Sequence, residues 1–563
     1  MTSSNFLSPD DIRTRFSAAM SEMYRDEVPQ YGTLQSLVRD VNDDALQRDP
    51  ALRAQLERAG ELARLSGERH GAIRLGTADE LRTMARLFAV MGMHPVGYYD
   101  LSVAGIPVHS TAFRPIEDAA LARNPFRVFT SLLRLEFIED EALRHEATAI
   151  LERREIFTGG ALRLVERAER QGGLTHDEAE TFVAEALETF RWHHDATVDR
   201  ATYERLSAAH RLVADVVCFR GPHINHLTPR TLDIDAVQAG MPERGIDPKA
   251  VIEGPPTRHC PILLRQTSFK ALEEGIAFPG PEGGDSGSHT ARFGEIEQRG
   301  AALTPEGRSL YDDLLLRARA SAADGGDYEN ALADAFTAFP DDWATLRRNG
   351  LAFFRYASSE SGLAAAGTEG LPYTLDALVA GGHVTFDPIV YEDFLPVSAA
   401  GIFQSNLGTE ARTDAAGTGD RAGFEAALGA SVRDETELYE AAQARSIETT
   451  LAALRNAVAR RDRRRRRTHR QRPSAPKPDG TERQFGTFRS DPLKLFDLRS
   501  DAFSRGDASS RRSDASGPGL VERKTCPRRP VSARPRPPAH PARMASHRCW
   551  AGPGRSAPAT STA

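Results

Sequence analysis

The stretch Arg69–Thr77, RHGAIRLGT, constrains the fold more than any other part of the chain. Its apolar and polar residues alternate, which predicts a β-strand over 69–75. Gly76 ends that strand, and Thr77 and Glu80 then have the spacing of a capping box. The helix predicted over 78–91 places Leu81, Met84, Phe88 and Met91 on one stripe, and Gly92 is suited to stop it. Three strand-like pieces follow, at 94–101, 106–113 and 131–138.

The same order returns later. PHINHLTPR, 222–230, reads as a strand. A short helix near 233–241, strands at 249–253 and 261–269, a glycine-rich loop at 279–289 and a last strand in ARFGEIEQRG complete the set. From His70 to Ile138 is 68 residues and from His226 to Glu295 is 69, so the spacing points to an internal duplication. The expected fold class is α+β, a duplicated βαβββ curved sheet with large helical insertions. The expected divisions are an N-terminal helical region at 1–66, opened by Ser8 as cap and Pro9, and a first βαβββ unit at 67–138. A helical insertion at 139–215, broken at Gly172-Gly173, leads to a second unit at 216–300. Residues 301–459 read as helices at 306–320, 330–339 and 341–357, a turn-rich segment at 383–407 suited to close over a pocket, and a closing helix at 420–459.

Charge separates the rest. From Arg460 onward there are 26 Lys and Arg against 9 Asp and Glu, a balance of +17. Residues 1–459 hold 46 and 70, a balance of −24. An acidic body excludes nucleic acid as the ligand of the core, because phosphate contacts need Lys and Arg. The tail at 460–563, rich in Arg, Pro, Ser, Ala and Gly, reads as a disordered extension, non-native in character. None of the four cysteines (218, 260, 526, 549) forms a C-x-x-C pair, so neither a disulfide framework nor a thiolate zinc site is indicated. There is no basic leader before an apolar run and no apolar stretch of membrane-spanning length, so the expected setting is a reducing cytoplasm.

Successive side chains on a strand point to opposite faces. His70, Ala72 and Arg74 therefore share a face, with the histidine and the arginine ~13 Å apart. His226, Thr228 and Arg230 repeat the pattern, and Glu295, Glu297 and Arg299 share a face of the last strand. If the two units pair into one sheet, two imidazoles and one carboxylate meet in a single cavity. Such a facial set suits Fe(II) with open positions, and zinc or Mn(II) also accepts it. Glu297 is the rival carboxylate and Glu136 a weaker one. Arg74 is the natural anion clamp, since a guanidinium grips a carboxylate with two parallel hydrogen bonds. His94, His109 and His223 read as structural or supporting groups, and His193-His194 as surface or packing residues. GGDSGS, 283–288, carries the G-D-S-G of a trypsin-like nucleophile loop without the surroundings that chemistry needs, and reads as a flexible loop.

The segments RHGAIRLGTADELRTMARLFAVMGMHPVGYYDLS, GPHINHLTPR, FGEIEQRG and YEDFLPVSAAGIFQSNLG resemble the 2-oxoadipate dioxygenase/decarboxylase (2-hydroxyglutarate synthase) family, over about residues 5–455. The resemblance implies a vicinal-oxygen-chelate type of sheet and Fe(II) as cofactor. It implies His70, His226 and Glu295 as metal ligands, with Glu295 preferred because FGEIEQR follows the F-x-E-I-x-Q-R strand of the phenylpyruvate enzymes. It implies Arg74, Val397 and Ser398 at the substrate. The implied reaction takes 2-oxoadipate and O2 to 2-hydroxyglutarate and CO2, in lysine breakdown. The partners would be a small 2-oxo dicarboxylic acid and O2, with no membrane. Another metalloenzyme of that superfamily, a ring-cleaving dioxygenase or an isomerase, and a non-catalytic small-molecule binding module are the alternatives. Oligomeric state is not legible in these residues.

Overall fold

The computed structural model describes residues 6–270, 272–280, 285–323, 327–366, 374–395 and 419–470. Its centre is a seven-stranded sheet of order β2-β3-β4-β1-β5-β9-β6. The strands are β1 Arg69–Leu75, β2 His94–Asp100, β3 Val108–Arg114, β4 Arg127–Leu133, β5 Leu227–Thr231, β6 Leu264–Ser268 and β9 Glu295–Arg299. A hairpin of β7 Leu272–Phe278 and β8 Asp285–Arg292 stands apart from the sheet, as does the pair β10 Phe354–Ser358 and β11 Val384–Pro388.

The sheet has an internal correspondence. β4 runs parallel beside β1, and β9 runs parallel beside β5. β3 flanks β4 antiparallel, and β6 flanks β9 antiparallel. The two halves meet where β1 pairs antiparallel with β5, Arg69 opposite Pro229 and His70 opposite Thr228. This is the α+β arrangement the sequence pattern leads to. A close approach makes the join work. A side chain at Gly71 would meet Ile224 at 2.5 Å and the His226 carbonyl at 3.0 Å, so only glycine lets the chain entering β5 lie there.

One face of the sheet is apolar. Ile73, Leu75, Phe113, Val128, Leu227 and Ile296 pack against Phe16 and Met20 of the helix Pro9–Glu27 and against Leu81, Met84 and Phe88 of the helix Ala78–Val90. Ser8 and Thr77 cap these helices as expected, the second with the full capping box to Glu80. Alternation then commits His70, Ala72 and Arg74 to the other face, which residues 301–358 and 384–395 cover in part.

Several local expectations are corrected. The last strand of the first half lies at Arg127–Leu133, and 135–137 is a single 3-10 turn, so the spacing to Ile138 counted past the strand. PHINHLTPR becomes strand only at Leu227; before it Asn225 bonds across to the Ala72 carbonyl of β1, but Ile224 turns to the Phe190 carbonyl instead of a strand neighbour. Residues 249–253 contribute only an isolated bridge, Glu253 to Gln266, in place of a strand. The glycine-rich segment forms strand from Asp285, where Gly287 and Ser288 pair with Ile276 and Gly275. The helix expected over 341–357 stops at Arg348, after which Gly350, at φ +65°, turns the chain into β10. The expected closing helix is two, Arg421–Leu428 and Glu435–Arg470, split at Gly429. The second carries helix through 460–470, where disorder was expected, and 471–563 lie outside the described residues. Among the described residues no helix is long and apolar enough to cross a membrane.

Candidate metal centre

Register across the join brings distant residues into rows. β1, β5 and β9 set His70 beside Thr228, and Arg230 beside Glu297. His226 comes just before β5, and its neighbour Asn225 donates to the Ala72 carbonyl at 3.0 Å. Tyr24, from the first helix, reaches the carbonyls of Asn225 and Phe293 at 3.1 and 2.8 Å, pinning the chain beside both His226 and Glu295.

The expected triad converges. His70, His226 and Glu295 each offer a ligand atom, and all three atoms lie within 4.8 Å of one another. All three residues are completely buried. His70 Nε2 is 3.2 Å from Glu295 Oε1. The imidazole rings cross edge to face at 5.4 Å, between Phe394 on His70 and Phe293 on His226, each at 4.9 Å. Gln266 and Thr228 donate to Glu295 Oε1 at 2.6 and 3.2 Å. Glu295 Oε2 and both ring nitrogens of His70 and of His226 have no hydrogen-bond partner of good geometry. Buried polar atoms are rarely left so, and five of them in one place with N, N, O donors fit a divalent metal ion. Burial pushes His226 down to about 4, which keeps its imidazole neutral and able to ligate.

Glu297, the rival carboxylate, sits on the far side of His70. Its Oε2 is 2.9 Å from His70 Nδ1, and Arg299 holds it with two bonds of 2.8 Å. Burial alone would raise Glu297; Arg299, His70 and Arg127 outweigh it and hold the carboxyl down at about 2. A carboxylate on the outer nitrogen of a ligating histidine fixes the ring and its tautomer. For His70 burial acts downward, but Glu297 and Glu295 together raise it above the ordinary histidine value. Glu136 pairs with Arg134 and takes no part in the cluster.

Arg230 departs from the expected mirror of Arg74. Because β1 and β5 are antiparallel, it lies at the opposite end of the row and binds Glu61 at 2.7 Å and Glu68 at 3.1 Å. Arg74 pairs with Asp215 at 2.6 Å. His223 is buried beside that pair, His109 packs on Phe424, and His94 is half-buried; none joins the triad. His193 is half-buried and His194 exposed. Val397 and Ser398 lie outside the described residues. Sequence reasoning missed Gln266, Thr228 and Asp215 as supports. For the first two the period-two pattern of their strands was the available signal; Asp215, in the helical insertion, gave none.

A buried triad of two imidazoles and a carboxylate on a two-half sheet is the donor set of a candidate metal site. The sequence profile of the 2-oxoadipate dioxygenase/decarboxylase family matches residues 16–406, and the chain belongs to that family. It is 59% identical over 460 residues to the 2-oxoadipate dioxygenase/decarboxylase of Pseudomonas putida, covering 81% of this chain and 99% of that one. The Mycobacterium bovis protein of the same name is 42% identical over 453 residues, covering 78% and 98%. The crystal structure of the Pseudomonas putida hydroxyglutarate synthase in complex with 2-oxoadipate superimposes with a TM-score of 0.75 at 58% identity, over 80% of this chain and all of that one. The chain is an oxidoreductase of this family.

Proposed function

We propose that the protein is an Fe(II)-dependent enzyme that converts 2-oxoadipate and O2 to 2-hydroxyglutarate and CO2. One observation carries the reading: the partnerless donors of His70, His226 and Glu295 converge in a buried site of a chain that belongs to this family. Bound Fe(II) would supply a Lewis acid for the 2-oxo acid and electrons for O2.

The chain's own residues hold and shield. His70, His226 and Glu295 are the proposed ligands. Glu297 keeps His70 turned inward, and Gln266 with Thr228 occupies one oxygen of Glu295 and leaves the other for the metal. Phe293 and Phe394 keep water from the imidazoles, which protects a reactive centre from side reactions. Arg74 is the proposed clamp for the distal carboxylate, with Val397 and Ser398 at the substrate by family resemblance. The buried free thiols Cys218 and Cys260 support a reducing, cytoplasmic setting.

Oxygen uptake and CO2 release test the reading. Fe(II)-loaded protein should consume O2 with 2-oxoadipate, releasing one CO2 for each O2, and should ignore catechols. Oxygen uptake with a catechol and none with 2-oxoadipate would replace the reaction while keeping the site.

A further inference from the structure

Arg74 does not stand alone on the sheet. Its Nη1 donates to Asp215 Oδ2 at 2.6 Å. The other oxygen of Asp215 faces His289 Nε2 at 2.9 Å and His223 Nε2 at 3.5 Å. His289 Nδ1 in turn meets the Tyr203 hydroxyl at 2.9 Å. Trp192 lies parallel to the His289 ring at 6.3 Å and edge-on to His223 at 4.6 Å, and Phe219 packs on His289 at 4.9 Å. Asp215, His223 and His289 are all buried.

The origin of these groups matters. Asp215 comes from the helix Arg211–Val217, at the end of the helical insertion between the two halves of the sheet. His289 comes from β8, in the hairpin inserted between β6 and β9. His223 comes from the stretch leading into β5. Two insertions that add no strand to the seven-stranded sheet thus meet at Arg74, on the same strand and face as His70. A long guanidinium side chain loses much rotamer freedom when fixed. A buried acid locked by two histidines removes that freedom before substrate arrives, which is how preorganisation strengthens binding.

We propose that Asp215, anchored by His289 and His223, is a positioning residue that aims Arg74, so that the far carboxylate of a 2-oxo dicarboxylic acid is read at a fixed distance from the triad. This rests on the reading of Arg74 as the carboxylate clamp. It makes the insertions the part of the fold that sets chain length and charge selectivity.

The test compares 2-oxoadipate with 2-oxohexanoate, which has the same chain and a methyl end, in wild-type holoenzyme and in Asp215→Asn, His289→Gln and Arg74→Met. Asp215→Asn should raise KM for 2-oxoadipate by about tenfold or more, with the loss falling on KM rather than kcat and largely sparing 2-oxohexanoate. His289→Gln should shift it in the same direction by about threefold. In the Arg74→Met background Asp215→Asn should add nothing, because the two residues act as one unit. Equal losses on both substrates would make Asp215 a purely structural residue and overturn the proposal. So would a lower KM for 2-oxoadipate, which would make Asp215 a competitor for Arg74. If Arg74→Met fails to separate the two substrates, the clamp reading falls and the proposal with it. If it separates them and Asp215→Asn does not, the positioning role alone is lost. Should Asp215→Asn not accumulate as folded protein, His289→Gln carries the test with the same readouts.

Discussion

The two sides of His70 differ in how their charged groups are paired. On the Nδ1 side each buried carboxylate faces at least one guanidinium, although His70 Nδ1 itself, Arg64 Nε, Arg127 Nε and Nη1 and Arg230 Nε make no hydrogen bond of good geometry. Glu68 faces Arg64, Arg127 and Arg230; Glu392 faces Arg64 and Arg127; Glu297 is gripped by Arg299; Asp393 is gripped by Arg114. Arg299 also donates to the carbonyls of Tyr391 and Asp393 at 2.7 and 3.0 Å, which ties residues 391–394 to the sheet and seats Phe394 on the His70 ring. On the Nε2 side, a few ångströms away, His226 and Glu295 Oε2 are left without partners. The ion-paired side fixes geometry, and the other side presents the donor set of the candidate metal site.

That contrast sets the order of the expected effects. His226→Ala should abolish turnover, by at least about a thousandfold, and remove bound metal, while its cost to the stability of metal-free protein is limited to the lost packing of the ring on Phe293 and His70, because no hydrogen bond is lost. Steady-state CO2 release and calorimetry check this. Unimpaired turnover would break the comparison on the functional side. Glu68→Gln should act in reverse. It takes one of two carboxylate partners from each of three buried guanidinium groups, which keep Glu392 or Glu61, and should cost about 3–5 kcal/mol of stability. Chemical denaturation measures it, and a loss under about 1 kcal/mol would mean that the ion-paired network is not structural. Glu297→Gln lies between the two sides. Metal affinity should fall about 10–100-fold with the triad otherwise intact, as read by competition with a chelator.

A smaller effect follows from acid. Arg127 and Arg64 hold Glu392 down at about 2 against burial, as Arg299 and His70 do Glu297. Carboxylates with lowered folded values contribute stability above their unfolded value, about 4.3, and lose it as pH falls toward 2. Metal-free protein should therefore lose stability steeply below about pH 4.5, and Glu297→Gln should flatten that slope. An unchanged slope would remove Glu297 from the ion-paired side.

How much of this the sequence discloses depends on which interaction decides each feature. His70, Arg74 and Glu295 sit in short strands with clean alternation, so faces were legible. The antiparallel join of β1 and β5 was not, and it reverses the sense of the second row; Arg230 therefore binds Glu68 instead of copying Arg74. The choice of Glu295 over Glu297 rested on family likeness, since both share one face. The structure separates them by the two nitrogens of His70. Asp215 was invisible because a helix in an insertion carries no register to the sheet. The end of β4 at Leu133 lies short of the sequence pattern because an apolar run continues past the ladder, and β5 starts only at Leu227 although the alternation begins before it.

The central claim is that three side chains from the two halves of one sheet share a single metal ion. Anomalous diffraction at the iron edge, from crystals loaded with Fe(II) without oxygen, tests it most directly. The account predicts one strong peak within bonding distance of His70 Nε2, an imidazole nitrogen of His226 and Glu295 Oε2. A peak elsewhere, or none in crystals of protein that turns over 2-oxoadipate, would contradict it.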